Sequence, residues 1–336
     1  MTLLRTIDHF RAYVKVNYNS ELTNFEPDLR LAERQRVRPL LGPALYNELS
    51  ALSDAALQAA LDDVTSATGQ LLRLVQEAVA NLGALEYLPL SQVKISDRGI
   101  ALMVDKTAFQ WQINELRASF RRKGYDALEA VLLFLDEHAA DFPAWVTSAA
   151  ATEARRQLIA TATEFSRHYD IGGSHLTYLS LLPTLRKVER FQLGAVLGVA
   201  YLAELRAELI AGSVSADNQL VLDEYVRPAL AHLVVAKAVP EVGLSLHEGN
   251  LELNVFRFDN ANEKEADASL DQLLASKVSQ AETDGQNYLL QLRQYLNALA
   301  SPTRYATYFT SSTYRDPSAP RPVVRSAVDS PTYKFF

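Results

Sequence analysis

Three residues whose side chains can bind a metal lie close together in the middle of the sequence: Glu164, His168 and His175. Glu164 and His168 are four residues apart and would share one face of a helix, and the glycine pair at 172–173 could turn the chain so that His175 approaches them. A carboxylate and two imidazoles are suitable ligands for zinc. Their spacing matches no metal-binding motif, so we interpret the segment as a turn between domains and predict no metal and no cofactor. A metal-dependent enzyme that uses these three residues is our third hypothesis.

The rest of the sequence contains no pattern typical of catalysis. It has no phosphate-binding glycine loop, no nucleophile elbow and no dinucleotide fingerprint. The chain also has no cysteine, which excludes disulfides and thiolate metal sites. We therefore predict that the protein is not an enzyme.

A repeated arginine–glutamate pattern is the other group of residues that could have a function. The pattern Arg-x-x-Glu-Arg occurs at Arg30, Glu33 and Arg34, and again at Arg186, Glu189 and Arg190. Arginine and glutamate three residues apart on a helix can form an ion pair worth about 0.2–0.5 kcal/mol. The plain interpretation is a salt bridge or capping role in both copies. The functional interpretation is that these six residues contact neighbouring subunits or line a channel that DNA passes through.

Composition limits the class of protein. The chain has 336 residues, 48% of them hydrophobic, and a net charge of −7. Such a chain can bury one large core or two of ordinary size, and an acidic balance is not typical of a dedicated nucleic-acid-binding protein. The sequence has neither an apolar run of signal-peptide length at its start nor an uninterrupted apolar span of about 18 residues. We expect a soluble protein, made in the cytoplasm, with no signal peptide and no membrane segment.

An internal repeat is the strongest feature of the sequence. Residues Pro27–Leu49 and Pro183–Leu205 are identical at ten of 23 positions without a gap, at an offset of 156 residues. A self-similarity of this kind predicts a duplicated structural unit. The repeat includes Gly42 and Gly198, which we predict to be turn positions because glycine adopts backbone angles that other residues avoid.

The same order of elements is predicted in both halves: a helix, a longer helix, a β-hairpin and two closing helices. The hairpins are predicted near Val93–Val104 and Leu244–Val255, and the closing helices are expected to hinge at Gly124 and Gly285. We therefore predict a mainly α protein, formed by tandem duplication of a helical-bundle unit that carries one inserted β-hairpin. The predicted domains are residues 1–150 and 151–300.

Residues 301–336 differ in composition from the rest of the chain. They contain five prolines and seven aromatic residues but no leucine or isoleucine. Prolines favour an extended backbone, and a segment with so many aromatic residues is suited to binding another surface. We predict an extended C-terminal arm; the alternative is a disordered tail that binds nothing. The candidate partner-binding residues of the arm are Tyr305, Tyr308, Phe309, Tyr314, Tyr333, Phe335 and Phe336.

A family resemblance rests on residues near the start of the chain. The segments Tyr13-Val-Lys-Val-Asn17, Phe25-x-Pro-Asp-Leu-x-x-Ala-Glu33 and Pro39-Leu-Leu-Gly42 resemble a family of uncharacterised prophage structural-module proteins. The chain is also similar to the helical head–tail connector (adaptor) proteins of tailed phages. The resemblance implies a helical bundle that binds under the portal ring and a C-terminal arm that reaches into a neighbour. This chain departs from the usual connector because it is about twice as long and internally repeated.

The functional hypothesis that follows is a non-enzymatic virion protein of the neck region. The resemblance implies a homo-oligomeric ring that contacts portal or tail proteins, with a passing contact to DNA and none to a membrane. The protein would be located in the virion after assembly in the host cytoplasm. The alternative hypothesis is a tail terminator, a baseplate protein or another adaptor of a phage-tail-like injection machine.

Overall fold

The computed structural model of the protein describes residues 2–16, 20–96, 99–102, 109–242, 244–247, 250–253 and 266–319. Over these ranges the chain is mainly helical, which confirms the prediction of a mainly α protein. The chain divides into two compact units, Met1–Leu182 and Pro183–Phe336. Within the described ranges, every helix is too short or too polar to cross a membrane.

The first unit begins with short helices and continues with two long ones. Its helices are α1 (Ile7–Arg11), α2 (Glu26–Ala32), α3 (Arg38–Ser50), α4 (Asp54–Asp62), α5 (Ala67–Tyr87), α6 (Gln110–Glu137), α7 (Pro143–Val146), α8 (Ala149–Arg155) and α9 (Ala162–His168). Helix α10 (His175–Val188) begins in the first unit and ends in the second. A π-helical turn, Glu33–Val37, connects α2 to α3, and 3-10 turns occur at Leu22–Asn24 and Leu90–Gln92. Strands β1 (Val93–Ser96) and β2 (Gly99–Leu102) are antiparallel, with Val93 opposite Leu102.

The second unit follows a similar order. Its helices are α11 (Gly194–Leu197), α12 (Val199–Ala211), α13 (Ala216–Val221), α14 (Arg227–Val242), α15 (Ala266–Leu299) and α16 (Ala306–Phe309). Two π-helical turns, Glu189–Leu193 and Leu222–Val226, precede α11 and α14. Strands β3 (Leu244–His247) and β4 (Asn250–Leu253) are antiparallel, with Leu244 opposite Leu253.

Serine and threonine side chains define where several helices begin. Each hydroxyl oxygen accepts a hydrogen bond from the backbone N–H three residues later: Ser53 at α4, Ser66 at α5, Ser148 at α8, Thr161 at α9 and Ser215 at α13. The first N–H groups of a helix have no partner within the helix, so a cap of this kind stabilises it by about 1 kcal/mol.

In each unit a long helix pairs with the next long helix, α5 with α6 and α14 with α15. A Cβ atom added at Gly124 would lie 2.6 Å from Leu82 Cδ2, and one added at Gly285 would lie 2.5 Å from Leu233 Cγ. Both glycines therefore lie inside continuous helices and allow a leucine of the neighbouring helix to pack against their backbone. The predicted hinges at Gly124 and Gly285 are wrong, because close helix packing rather than a turn requires glycine there.

The predicted turns at Gly42 and Gly198 are confirmed. Gly42 has φ 77° and ψ 156°, and Gly198 has φ 78° and ψ 153°. Residues that carry a side chain rarely adopt these backbone angles, and both positions are also crowded by neighbouring atoms. A Cβ atom would lie 2.8 Å from Ser148 Cβ at Gly42 and 3.3 Å from Ser311 Cβ at Gly198. Each glycine thus forms a sharp corner against a serine of the same unit.

The division between the units lies further along the chain than the predicted domain boundary. The predicted boundary between residues 150 and 151 lies within α8 of the first unit. The units divide instead at Leu182 and Pro183, within α10.

The described part of the predicted arm, residues 301–319, belongs to the second unit. Tyr305 is 6% exposed and Tyr308 is fully buried. The prediction of an extended arm is therefore wrong for residues 301–319, because their aromatic rings complete the core of the second unit. Residues 320–336 lie outside the described ranges.

Candidate functional site

The repeated arginine–glutamate pattern begins on an α-helix, with Arg30 or Arg186, and ends on the π-helical turn that follows it. The turn Glu33–Val37 buries its first and last residues and leaves the three residues between them exposed. The turn Glu189–Leu193 also buries its first and last residues. A π-helical turn inserts one residue into a helix and so changes which side chains face the core. In both units the glutamate faces inward and the arginine after it faces outward.

Glu33 is 2% exposed and joins the N-terminal segment to α3. Its Oε1 accepts a hydrogen bond from the backbone N–H of Leu3 at 2.6 Å, and its Oε2 accepts one from the Tyr46 hydroxyl at 3.0 Å. Burial raises the pKa of Glu33, and these hydrogen bonds partly offset that rise. Burial and the nearby Glu33 carboxylate raise the pKa of Tyr46 to about 12, so the phenol keeps its proton and remains a donor.

Glu189 occupies the equivalent position in the second unit but has a charged partner. Its side chain has 0% exposure, and its Oε2 accepts a hydrogen bond from Nη2 of Arg206 on α12. The Arg206 side chain is 37% exposed, so it extends from the surface into the core. A buried carboxylate must be matched by a cation or by hydrogen-bond donors. The first unit meets this requirement with a backbone amide and a phenol, and the second with an ion pair.

Only some of the six arginine–glutamate residues are exposed and so accessible for the predicted contact role. Arg30 pairs with Glu26 rather than with Glu33. Glu33 and Glu189 are buried, so the prediction that they contact neighbouring subunits or line a channel is wrong. The four arginines are exposed: Arg30, Arg34, Arg186 and Arg190.

The well-exposed residues of α12, a helix that the structure describes in full, are all apolar. They are Val199, Ala200, Ala203, Ala207, Ile210 and Ala211, and we call them the α12 face. Val199 is 82% exposed and Ile210 is 64% exposed. Phe191, on the preceding π-helical turn, is 68% exposed, and the guanidinium carbon of Arg190 lies 5.7 Å from its ring centre. Contiguous exposed apolar side chains are typical of an interaction site.

The equivalent surface of the first unit is more polar. The residues 156 positions before the α12 face are Pro43, Ala44, Asn47, Ala51, Asp54 and Ala55, and all are exposed. Asn47 stands at the position of Ala203, and Asp54 stands at that of Ile210. Asp54 accepts a hydrogen bond from Arg5 at 2.6 Å. At two of the six positions, therefore, the first unit has a hydrophilic side chain where the second has an apolar one.

Two of the aromatic residues predicted to bind a partner lie in the core. Tyr308 is fully buried, and its hydroxyl donates to Asn297 Oδ1 at 2.9 Å. The ring of Tyr201 lies 6.0 Å from that of Tyr308 and 6.1 Å from that of Tyr305. Burial raises the pKa of Tyr308, so its hydroxyl stays neutral. The predicted partner-binding role is wrong for Tyr305 and Tyr308, because their own unit already buries both rings.

The other predicted aromatic residues lie nearer the surface or outside the described ranges. Phe309 and Tyr314 are half-buried, with ring centres 4.8 Å apart. Tyr333, Phe335 and Phe336 lie outside the described residues, so their role in partner binding stays a prediction.

A pattern that links the two units was present in the sequence. Aromatic-x-x-aromatic-x-Thr-Ser occurs at Phe142, Trp145, Thr147 and Ser148 and again at Tyr305, Tyr308, Thr310 and Ser311. Phe142 and Trp145 are buried like their counterparts, at 4% and 8% exposure. The two segments are 163 residues apart. Comparing the two halves of the sequence at the single offset of 156 residues therefore does not align these segments.

The three residues of the metal hypothesis do not form a metal site. Glu164 accepts a hydrogen bond from the backbone N–H of Ala160 at 2.9 Å at the start of α9, and the ring of His175 binds a different carboxylate, Glu129. Among the described residues, no group of three or more histidine, aspartate or glutamate side chains is arranged to hold a metal ion. The metal-dependent enzyme hypothesis therefore has no support in the arrangement of Glu164, His168 and His175.

His175 lies instead between two carboxylates of α6, at the start of α10. Glu129 accepts hydrogen bonds from the backbone N–H of His175 and of Leu176 and, at 3.0 Å, from the Ser174 hydroxyl. Burial alone would raise the pKa of Glu129, but these hydrogen bonds hold it below its usual value. His175 Nδ1 is 3.0 Å from Glu129, and Nε2 is 3.8 Å from Asp136. Asp136 raises the pKa of His175 against the opposing effect of burial, with a further contribution from Glu129.

A cavity of about 70 Å³ adjoins His175, and its lining includes Asp136, Trp145 and Arg155. Ligand pockets usually have volumes of about 300–1,000 Å³, so this cavity is too small for a typical substrate. The arrangement can bind a proton and attach α10 to α6.

The comparison with family models finds one match in each half of the chain. The model of a family of unknown function, DUF6712, matches residues 37–155 and 193–318. Val37 and Leu193, where the matches begin, are the last residues of the two equivalent π-helical turns. No curated protein and no solved structure matches the chain. The matched ranges cover more than half of the chain, which therefore belongs to this family of unknown function, DUF6712.

Proposed function

We propose that this protein is a non-enzymatic structural component of a phage particle, a connector in the neck between the head portal and the tail. The observation that carries the proposal is the α12 face, whose Val199 and Ile210 are 82% and 64% exposed. Exposed apolar surface favours association with another protein. The resemblance of residues 13–42 to phage structural proteins favours a virion as the place of that association.

The mechanism that we propose is assembly. Copies of the chain pack into a homo-oligomeric ring in contact with portal or tail proteins. The exposed arginines, Arg30, Arg34, Arg186 and Arg190, contact neighbouring subunits or the phosphates of DNA that passes through the ring. Their positions on or beside the two π-helical turns support this role, because a glutamate held in the core fixes each turn.

We also propose that the two units arose by tandem duplication of one helical-bundle unit with an inserted β-hairpin. Three features support a common origin. The glycine corners have nearly equal backbone angles, the glycines of α6 and α15 pack against equivalent leucines, and the family model matches once in each half.

The C-terminal arm in this proposal is shorter than residues 301–336. Residues 320–336 contain three prolines and the aromatic residues Tyr333, Phe335 and Phe336. This segment would dock on an adjacent protein of the particle. A chain that ends at Ala319 should then fold but fail to enter particles, whereas its normal incorporation would contradict the arm's role.

The experiment that tests the proposed function is deletion of the gene from the genome that carries it. We expect heads and tails that form separately and do not join, visible by electron microscopy, and we expect the wild-type gene supplied in trans to restore joining. Particles that join normally without the gene would contradict a neck role. Intact necks with defective baseplates or tail ends would assign the protein to the injection-machine alternative.

A further inference from the structure

The α12 face is large enough to be one side of a specific contact. Its two large aliphatic residues are 82% and 64% exposed, and four exposed alanines lie on the same helix. Together these side chains give an apolar area on the order of 500 Å², near the upper end of the range of about 300–600 Å² for the largest patch on a typical monomer. Two such faces in contact would bury roughly 1,000 Å², the lower limit for a specific protein–protein interface.

The shape of the face suits a second helix. Ala200, Ala203 and Ala207 form a flat strip along α12, with the larger Val199 and Ile210 at its two ends. Small residues at a contact let two helix axes approach closely, and larger side chains at the ends can pack around the partner. Phe191 extends the apolar surface on the preceding turn.

The charges near the face do not oppose such a contact at its centre. The charged residues of α12 are half-buried rather than exposed: Glu204, Arg206 and Glu208. Arg206 is bound to Glu189, and Glu208 accepts hydrogen bonds from Ser215 and Asn218 at 3.0 and 2.9 Å. Because the exposed strip itself carries no charge, two copies of it can meet without placing like charges directly opposite each other.

We propose that the α12 faces of two copies of this chain pack against each other. The inference rests on the proposed assembly role and adds that this surface pairs two copies about a two-fold axis, so the contacts that close the ring use other surfaces. The equivalent surface of the first unit carries Asn47 and Asp54, so it offers no matching apolar strip. A contact between identical faces pairs apolar with apolar and leaves these polar residues in water.

Chemical cross-linking tests which surface is at the contact. The chain contains no cysteine, so a single introduced cysteine reports one position. Ala203→Cys places a thiol near the middle of the α12 face, and Asn47→Cys is the matched control at the equivalent exposed position of the first unit. With a short bismaleimide we expect covalent dimers of the Ala203→Cys protein and none of the control. Equal cross-linking of both variants, or none of either, would overturn the proposal.

A charge placed on the face tests whether it maintains the association. We expect Ala203→Arg to weaken self-association by roughly a hundredfold, because a guanidinium would be buried without a partner, and Asn47→Arg to have no effect. Val199→Glu, of opposite charge, should act like Ala203→Arg. The full-length variants are compared by light scattering over a wide range of concentrations, with circular dichroism to confirm folding. A monomeric wild type, or a folded Ala203→Arg protein with the wild-type mass, would contradict the inference.

The failure of this inference can be distinguished from failure of the proposed function. A chain that dimerises through α12 but whose gene is not needed for joining heads to tails would remove the neck role and leave the contact. A monomeric wild type whose residues 199–211 gain protection from hydrogen exchange only within particles would mean that a different protein covers the face. That result would overturn the inference and leave the assembly role in place.

Discussion

The corner that contains Gly42 and the corner that contains Gly198 have nearly the same backbone but different chemistry. Both consist of a π-helical turn followed by a glycine with positive φ, and both direct a glutamate into the core. Glu33 is bound by Leu3 and Tyr46, whereas Glu189 is bound by Arg206. The surfaces differ as well, because Asn47 and Asp54 of the first unit correspond to Ala203 and Ile210 of the second.

The comparison distinguishes residues that the fold requires from exposed residues that can differ between the units. The buried glutamate and the glycine are present in both units, so they meet a requirement of the backbone. The partner of the glutamate and the exposed residues are free to change. Residues shared by the two corners therefore indicate what the backbone requires, and residues that differ show where the two surfaces are chemically distinct.

The largest effect is expected from shortening the second unit. A chain that ends at Ala300 loses Tyr305 and Tyr308, and removal of one large buried aromatic side chain costs about 3–5 kcal/mol. We expect the second unit to unfold while the first remains folded, as measured by hydrogen exchange of the two units. A chain that ends at Ala319 is the matched control and should unfold like the full-length protein. Unchanged protection of α12 in the shorter chain would contradict the placement of these tyrosines.

The two buried glutamates should respond differently to the loss of their charge. Glu189→Gln removes the charge that faces Arg206 and should lower the free energy of unfolding by about 2–3 kcal/mol. Glu33→Gln keeps a carbonyl oxygen for the Leu3 amide, and its NH2 group can donate to the Tyr46 hydroxyl, so the substitution should cost about 1 kcal/mol or less. Urea unfolding of both variants measures the difference. Equal decreases in the free energy of unfolding would mean that the ion pair with Arg206 does not make the charge of Glu189 more important than that of Glu33.

The two corner glycines test how crowded each corner is. Alanine at either position requires backbone angles that cost about 1–3 kcal/mol. Gly42→Ala also brings Cβ within 2.8 Å of Ser148 Cβ, whereas Gly198→Ala leaves 3.3 Å to Ser311 Cβ. We expect the larger loss of thermal stability for Gly42→Ala. The reverse order would show that the first corner relaxes more easily than the second.

A smaller effect is expected from pH, and it should be confined to the first unit. The pKa of His175 is raised above its ordinary value of 6.5. The stability that its protonation contributes is therefore fully present below pH 6.5 and is lost as pH rises through the raised pKa. His175→Gln should abolish this dependence. Hydrogen exchange of α6 as a function of pH measures it, and a similar change in the variant would exclude His175 as the source.

The parts of this fold that could be predicted are those in which a local sequence pattern determines the backbone conformation. The corners at Gly42 and Gly198 followed from glycine within a repeated sequence. Gly124 and Gly285 are glycines as well, but they are required because Leu82 and Leu233 of the neighbouring helices pack against them. A sequence shows that a side chain is missing, and it does not show whether a turn or a neighbour requires its absence.

The surfaces were harder to predict than the corners. Comparison of the repeats drew attention to the shared residues, of which Glu33 and Glu189 are buried. The α12 face is instead made of differences, such as Ala203 in place of Asn47. Its exposure depends on which side of α12 the core occupies, and the tertiary contacts determine this.

The position of Tyr308 in the core has a consequence for the order of events during synthesis. Domains tend to fold in order from the N-terminus as the chain leaves the ribosome. The first unit can complete its core once Leu182 has been made, whereas the second unit needs Tyr305 and Tyr308, which are among the last of its core residues to be translated. The ring of Tyr201 lacks its edge-to-face contacts with Tyr305 and Tyr308 until then. The second unit, and with it the α12 face, therefore reaches its final structure only after Tyr308 has been translated, later than the first unit, which delays contact between copies through this face.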